Sequence, residues 1–173
     1  MRSSRRWLTC ALLVAGVASC DGGPARIQRP TLGQPLANVS LEDTRGNAVA
    51  IADLAGQPAL VNLWATWCPP CREETPFLQS LHERLSPRGL QVVGITVDNA
   101  AARSAVDAFL AENGVEYLQL VDPKGVSMDL YGVIGLPATF LIDAEGIVRF
   151  ARLGPVTESD PEFERALTQV LDG

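Results

Sequence analysis

Positions 61–76 of the chain read VNLWATWCPPCREETP. This segment begins inside a nearly unbroken apolar run, residues 59–65, which has the length and composition of a central strand covered on both faces. Cys68 and Cys71 follow directly, and apolar residues then recur at helical spacing as far as Leu85. The pattern predicts a strand, a short loop and an amphipathic helix, with Cys68 at the junction.

The position of Cys68 at this junction has a chemical consequence. A helix N-terminus presents unpaired N–H groups and the positive end of the helix dipole. In C-x-x-C motifs at such positions the thiol pKa falls from about 8.5 to roughly 3.5–7.5, and the thiolate is the reactive form. We therefore expect Cys68 to be an exposed nucleophile. Cys71, nearly one helical turn further on and facing inward, is expected to close the internal disulfide.

The remainder of the chain alternates between strand and helix patterns. A β-hairpin is predicted from residues 36–41 and 48–51, which flank a polar turn. The alternation that follows, ending in a second hairpin, predicts an α/β fold with a mixed central sheet flanked by helices. Further strands are predicted at residues 91–97, 117–121, 138–142 and 147–152, and further helices at 101–112, 126–131 and 161–171.

The N-terminus has the layout of a secretory signal. A basic start is followed by a mostly apolar run, residues 7–18, that ends in small residues. That run is about a dozen residues, short of the ~20 needed to cross a bilayer as a helix. We expect residues 1–19 to be a signal peptide, residues 20–31 a flexible tether containing Gly and Pro, and residues 32–173 the folded domain.

Residues 17–20 read VASC and resemble the lipobox of bacterial lipoproteins. In that class the cysteine, here Cys20, is lipid-modified and becomes the new N-terminus. An Asp directly after it, here Asp21, is associated with retention at the inner membrane of Gram-negative bacteria. The resemblance implies a lipid anchor on the periplasmic side of that membrane, with ordinary cleavage near Ala18 as the alternative.

Charge and cysteine content argue against several functions. The net charge is −6, and nucleic-acid backbones need Lys and Arg to replace released counterions, so no nucleic-acid binding is expected. A closed zinc site has too few ligands, because only two cysteines lie in the folded part and His82 is the sole histidine. Thr66 stands at the wrong spacing from Cys68 for a peroxiredoxin. Half of a metal site or a structural disulfide are the remaining alternatives for the motif.

Residues 61–76 resemble the active-site segment of the TlpA/ResA branch of thioredoxin-like proteins, which includes the cytochrome c maturation reductases called CcmG or DsbE. The likeness extends from about Leu32 to the C-terminus, including the leading hairpin and an insertion around residues 99–120. It implies a thioredoxin-like fold and a protein thiol-disulfide oxidoreductase. The Cys68/Cys71 pair would be the redox-active disulfide, with no cofactor and no metal.

The resemblance also implies roles for individual residues. Thioredoxin has a buried Asp six residues before its first active-site cysteine, whereas this chain has Asn62, as its branch does. Glu74 matches a glutamate that the branch uses to handle protons. A poised carboxylate could take the proton that Cys71 must lose. The alternative for Glu74 is a solvated position on the helix face.

Residues 135–140, GLPATF, resemble the cis-proline loop of the same proteins. A cis bond at Pro137 would hold an exposed backbone edge beside Cys68. Such an edge pairs with an extended substrate segment through main-chain hydrogen bonds, whereas a plain turn before a strand is the alternative. The predicted substrate-binding residues are Trp67, Pro69, Pro70, Leu136 and Pro137.

The sequence thus predicts an extracytoplasmic enzyme that exchanges disulfides with proteins such as apocytochrome c or metal-site assembly factors, and that a membrane electron donor keeps reduced. Direction depends on the reduction potential: about −270 mV indicates a reductant and about −120 mV an oxidant. The resemblance favours a reductant. The alternative is a copper-binding chaperone using the same cysteines, although sequence places neither His82 nor Met128 as a third ligand.

Overall fold

A computed structural model describes residues 27–172. They form one seven-stranded sheet with helices on both faces. The strands are β1 (Ser40–Asp43), β2 (Ala48–Ala50), β3 (Ala59–Trp64), β4 (Gln91–Thr96), β5 (Leu118–Val121), β6 (Ala138–Ile142) and β7 (Val148–Leu153). The helices are α1 (Pro69–Leu85), α2 (Arg103–Glu112), α3 (Val126–Tyr131) and α4 (Pro161–Asp172). The predicted mixed sheet flanked by helices is confirmed.

The strand order is β2-β1-β5-β4-β3-β6-β7, which places the loop after β3 next to the loop after β4. Strands β3, β4 and β5 are parallel neighbours, β6 runs antiparallel to β3, and β7 runs antiparallel to β6. Trp64, the last residue of β3, lies opposite Thr96, the last residue of β4. The loop that leads from β3 to Cys68 therefore leaves the sheet beside the loop that follows β4.

The central strands are buried on both faces, as the apolar run at residues 59–65 predicts. Alternate residues of β3 point to opposite sides, so that Val61 and Leu63 join one core and Leu60 joins the other. Tyr131 of α3 packs into the first core, whereas Leu78 of α1 and Phe163 of α4 pack into the second. α1 and α3 are thus on opposite faces of the sheet, and the cysteines lie on the α1 side.

The leading hairpin differs from its prediction in extent and in partner. Its strands are shorter than predicted, and β1 also pairs with β5, with Glu42 opposite Val121. The hairpin is therefore part of the main sheet. Leu36 and Val39 were predicted to be strand residues, but they precede β1. Their apolar side chains are nevertheless buried in the core beneath the sheet.

The N-terminal signal, Cys20 and the first part of the predicted tether lie outside the described residues. The described end of that tether lies along the domain. The amide of Gln28 donates to the carbonyl of Leu130 across 2.6 Å, and the amide of Gly33 donates to the carbonyl of Val148 across 2.9 Å. Between residues 27 and 172, no helix combines the length and the apolar character needed to span a membrane.

Candidate active site

Cys68 and Cys71 are joined by a disulfide. Their sulfur atoms are 1.96 Å apart, and their Cα atoms are 5.3 Å apart. The structure therefore describes the oxidised form. The predicted closeness of the two side chains, on which any exchange chemistry depends, is confirmed.

The sequence between the cysteines directs the first helical amide at sulfur. α1 begins at Pro69, with Cys68 as its N-cap. Neither Pro69 nor Pro70 has an N–H group, so the first free amide of α1 belongs to Cys71. That amide donates to Cys68 Sγ across 3.3 Å. The amide of Arg72 donates to the carbonyl of Cys68 across 3.2 Å, so the positive end of the helix dipole lies at Cys68.

The prediction of an exposed Cys68 is wrong for this oxidised form. Cys68 is only 4% exposed and Cys71 only 2%. Both pack in an apolar cluster with Trp64, Val106 and Phe109, which limits the surface of the disulfide that solvent can reach. The inward position of Cys71 is confirmed. An attacking thiolate can reach Cys68 only through the small surface that remains.

Glu74 is buried, so the alternative of a solvated helix position is wrong. Its side chain is 4% exposed. The amide of Val156 donates to Glu74 Oε1 across 2.8 Å, and Asn62 Nδ2 donates to Glu74 Oε2 across 3.1 Å. Asn62 Nδ2 also donates to Thr139 Oγ1 across 2.9 Å. Since residues three apart on a helix share a face, Glu74 lies on the same side of α1 as Cys71.

Burial changes the proton affinity of Glu74. It raises the pKa of the carboxyl from its usual 4.5 to about 7, although the hydrogen bonds from Val156 and Asn62 oppose that shift. A group with this pKa can both take up and release a proton near neutral pH. Glu74 also borders a cleft of about 300 Å³ between α1 and the loop before α4, lined by Pro70, Glu73, Glu74, Phe77, Pro155, Val156, Thr157 and Glu158.

The loop before β6 has the predicted backbone geometry. The Leu136–Pro137 peptide bond is cis. The carbonyl of Pro137 accepts a hydrogen bond of 2.8 Å from the amide of Gly154. Leu136 is half-buried and packs against the cluster that contains both cysteines. The structure therefore brings the predicted cis-proline loop to the cysteine site.

The predicted surface residues around the disulfide are open to solvent to different degrees. Trp67, directly before Cys68, is 66% exposed. Pro69 is exposed, Pro70 is half-buried and Pro137 is buried. The predicted contact surface therefore rests mainly on Trp67, Pro69 and the half-buried Leu136.

Several polar residues at the site were not singled out from the sequence. Thr139 was assigned only to a strand, yet it shares a hydrogen bond with Asn62. Thr139 lies directly opposite Asn62 in the register of β6 against β3, and this pairing identifies Thr139 as part of the site. Asp98 was likewise overlooked, although it lies two residues after β4 and is buried. Among residues 27–172, no three His, Cys, Asp or Glu side chains are grouped to hold a metal ion.

Comparison with known proteins identifies the family to which this site belongs. Residues 32–151 match the family model described as the AhpC/TSA family. The chain belongs to the AhpC/TSA family. Among family relatives, the chain is 35% identical over 127 residues to the thiol-disulfide oxidoreductase ResA of Bacillus subtilis (strain 168), covering 73% of this chain and 70% of ResA.

A second relative and a solved structure support the same assignment. The chain is 40% identical over 140 residues to the thiol:disulfide interchange protein DsbE of Pseudomonas fluorescens biotype C, covering 78% of this chain and 74% of DsbE. A crystal structure of a Chlorobium tepidum protein assigned as DsbE superposes with a TM-score of 0.74 at 30% identity, covering 82% of this chain and 99% of that one. Within the AhpC/TSA family the chain is a thiol-disulfide oxidoreductase with a thioredoxin-like fold, as predicted.

Proposed function

We propose that this oxidoreductase reduces disulfides of extracytoplasmic proteins, with Cys68 as the attacking thiolate, Cys71 as the resolving thiol and Glu74 as the proton acceptor. The observation that carries the proposal is the placement of these groups on one helix. Cys68 caps the N-terminus of α1, Cys71 lies one turn inside, and the buried Glu74 carboxylate follows on the same face.

The reaction proceeds by two exchanges. In the first, the Cys68 thiolate attacks one sulfur of a partner disulfide, forms a mixed disulfide and releases the partner's other sulfur as a thiolate. In the second, the Cys71 thiolate attacks Cys68 Sγ, forms the Cys68–Cys71 disulfide and releases the partner's remaining sulfur. Two electrons have then passed from the enzyme dithiol to the partner, and a reductant must restore the dithiol.

Glu74 acts at the second exchange. Cys71 is buried, and burial in apolar surroundings disfavours its thiolate. An ionised Glu74 accepts the Cys71 proton, and its raised pKa brings the proton affinities of donor and acceptor closer together. The cleft beside Glu74 gives the carboxylate access to solvent, to which it can pass the proton.

The partner docks over the disulfide and the cis-proline loop. Trp67, Pro69 and Pro70 provide an apolar rim next to Cys68, with Trp67 the most exposed of the three. The backbone of Leu136, held in place by the cis bond to Pro137, pairs with an extended segment of the partner. The packing of Leu136 against the cysteine cluster supports this arrangement, because it brings that backbone close to the sulfur under attack.

The location and the partners rest on the resemblances in the sequence. Residues 1–19 serve as the signal, lipidated Cys20 anchors the protein on the periplasmic side of the inner membrane, and residues 20–31 tether residues 32–173. Apocytochrome c or metal-site assembly factors are the substrates, and a membrane electron donor regenerates the dithiol. The relatives include proteins named for thiol:disulfide interchange, which supports a protein substrate.

The test is to trap partners in cells that express the Cys71→Ser variant. Without a resolving thiol, mixed disulfides through Cys68 should accumulate, and mass spectrometry of the reducible adducts identifies the partners. The control is the double variant C68S/C71S, which should trap nothing. Absence of adducts from Cys71→Ser, or stoichiometric copper bound through both cysteines after reducing purification, would contradict the proposal.

A further inference from the structure

Thr66, two residues before Cys68, is held by the buried carboxylate of Asp98, which lies in the loop after β4. Asp98 follows β4 and is 5% exposed. Its Oδ2 atom accepts a hydrogen bond of 2.8 Å from the Thr66 amide, and its Oδ1 atom accepts one of 2.6 Å from the Thr66 hydroxyl. The hydroxyl of Thr96, at the end of β4, donates to Oδ2 across 2.7 Å. Asp98 thus fastens the loop before Cys68 to the adjacent strand.

The opposite side of Thr66 is held by a positive charge. Arg72 Nη1 donates to the carbonyl of Thr66 across 3.4 Å. The Arg72 guanidinium lies 4.8 Å from the ring centroid of Phe109, and Phe109 packs on Trp64 with ring centroids 5.2 Å apart. One residue of the loop is therefore contacted by a carboxylate at its amide and by a guanidinium at its carbonyl.

We propose that Asp98 and Arg72 are positioning residues that clamp Thr66, fix Cys68 at the N-terminus of α1, and set the balance between the dithiol and the disulfide from opposite directions. The proposal rests on the proposed role of Cys68 as the exchanging thiolate. Asp98 and Arg72 act on Cys68 through Thr66, to which both are hydrogen-bonded.

The hydrogen bonds of Asp98 explain how the clamp positions the loop. A carboxylate that accepts three hydrogen bonds makes stronger contacts than a neutral acceptor would. Removing it leaves the Thr66 amide without its acceptor at a half-buried site, which costs free energy. The loop between β3 and α1 is short, so a shift of Thr66 is passed directly to Cys68.

The charges explain the effect on redox balance. Two residues of chain span at most about 7 Å, so both charged groups lie within roughly 10 Å of Cys68, about one Debye length at an ionic strength of about 0.1 M. The negative Asp98 disfavours a Cys68 thiolate and the positive Arg72 favours it. Because the thiolate belongs to the reduced form, removing either charge shifts the redox equilibrium, in opposite directions.

Asp143 offers a matched control for Asp98. It is also buried, and it accepts hydrogen bonds from the amides of Glu145 and Ile147 across 3.1 and 2.8 Å. Its turn follows β6, where Ile142 lies opposite Ala59 at the start of β3. Asp143 is therefore at the end of the sheet remote from Cys68. Its substitution should affect stability without reaching the disulfide.

The experiment equilibrates the full chain with glutathione at pH 7. The Cys68–Cys71 disulfide and two reduced glutathione molecules give the dithiol and one oxidised glutathione. Asp98→Asn should shift this equilibrium about threefold or more toward the dithiol, and Arg72→Gln should shift it by a similar factor toward the disulfide. Asp143→Asn should leave it unchanged even where its melting temperature falls.

Arg72 keeps the test decisive if Asp98→Asn does not fold. Arg72 is exposed, so Arg72→Gln should fold, and Arg72→Lys, which keeps the charge, should shift the equilibrium less than Arg72→Gln does. The proposal would be contradicted if Asp98→Asn and Arg72→Gln shifted the dithiol/disulfide equilibrium in the same direction. It would also be contradicted if neither variant shifted that equilibrium more than Asp143→Asn does. A wild-type disulfide that does not exchange with glutathione at all would instead overturn the proposed function.

Discussion

The side-chain amide of Asn62 donates a hydrogen bond to the carboxylate of Glu74 across 3.1 Å, joining the central strand β3 to the helix that carries both cysteines. Asn62 occupies the position at which thioredoxin has a buried Asp. A neutral amide at that position leaves Glu74 as the acidic group behind the disulfide and stabilises its ionised form, since Nδ2 can only donate. In the proposed mechanism, the proton acceptor therefore lies on α1 and not on β3.

Replacing Glu74 should slow the second exchange selectively. Glu74→Gln keeps the shape of the side chain but cannot accept the Cys71 proton. We expect the resolution of a preformed mixed disulfide at pH 7 to slow by about 10²-fold. The wild-type rate should rise with pH through about 7, the pKa of Glu74, and that inflection should be absent from the variant. Stopped-flow measurement of partner release between pH 5 and 9 provides the check.

Asn62 and Thr139 supply the controls for that pH profile. Asn62→Leu removes the donor to Glu74 Oε2, so the inflection should move to higher pH, because the ionised carboxylate loses a stabilising hydrogen bond. Thr139→Val removes only the acceptor of the second Asn62 hydrogen bond and should leave the inflection near its wild-type position. An inflection that persists in Glu74→Gln would assign the titration to another group.

The buried Glu74 should also make stability depend on pH. Its pKa is about 7 in the folded state against 4.5 ordinarily, so the folded state favours the protonated form. That contribution to stability is fully present below about pH 4.5 and is lost as the pH rises through about 7. Relative to wild type, Glu74→Gln should gain up to about 3 kcal/mol of unfolding free energy between pH 4.5 and pH 8. Urea unfolding at the two pH values measures this difference, and an equal difference at both would contradict the assigned pKa.

Gly94 should not tolerate a side chain, because Gln119 occupies the space above it. A Cβ atom at Gly94 would lie 2.4 Å from Gln119 Oε1, which accepts a 3.0 Å hydrogen bond from Trp64 Nε1. We expect Gly94→Ala to lower the unfolding free energy by about 1–3 kcal/mol. The double variant G94A/Q119A should be no less stable than Gln119→Ala alone. A further loss in the double variant, measured by urea unfolding, would show that the clash is not with Gln119.

The fold was largely predictable because its signals are local. The C-x-x-C motif between an apolar strand and an amphipathic helix located β3 and α1, and the predicted ranges of α3 and β6 match the structure. The pairing of β1 with β5 was missed. Periodicity in β1 indicates only that a strand exists and which face is buried. It carries no information about a partner some eighty residues away.

The site was predictable in its residues but not in its environment. The family resemblance singled out Glu74, yet whether its side chain is solvated depends on what packs against that side of the helix. Only the three-dimensional arrangement brings Asn62 and Val156 there. The exposure of Cys68 was overestimated for the same reason, since Val106 and Phe109 of α2 cover it from a distant part of the sequence.

The histidine is less exposed than its sequence context suggests. The helical pattern gives His82 no partner, which favours a surface position, but its side chain is half-buried, with its ring 6.1 Å from that of Tyr117. Its place on α1 follows the helical repeat one turn after Leu78, next to the buried face. Packing beside Tyr117, which directly precedes β5 and is distant from His82 in the sequence, explains the difference.

The central claim, that Cys68 attacks and Cys71 resolves, is tested most directly by mapping the adduct that the purified protein forms with a disulfide-containing peptide. Reduced Cys71→Ser should form one stable mixed disulfide, located at Cys68 by peptide mass spectrometry, whereas reduced wild type should release the reduced peptide and retain the internal disulfide. Reduced Cys68→Ser should react far more slowly, because Cys71 lies inside α1 and lacks the helix N-cap position that stabilises a thiolate at Cys68. A Cys68→Ser variant that forms the adduct as fast as Cys71→Ser would contradict the assignment.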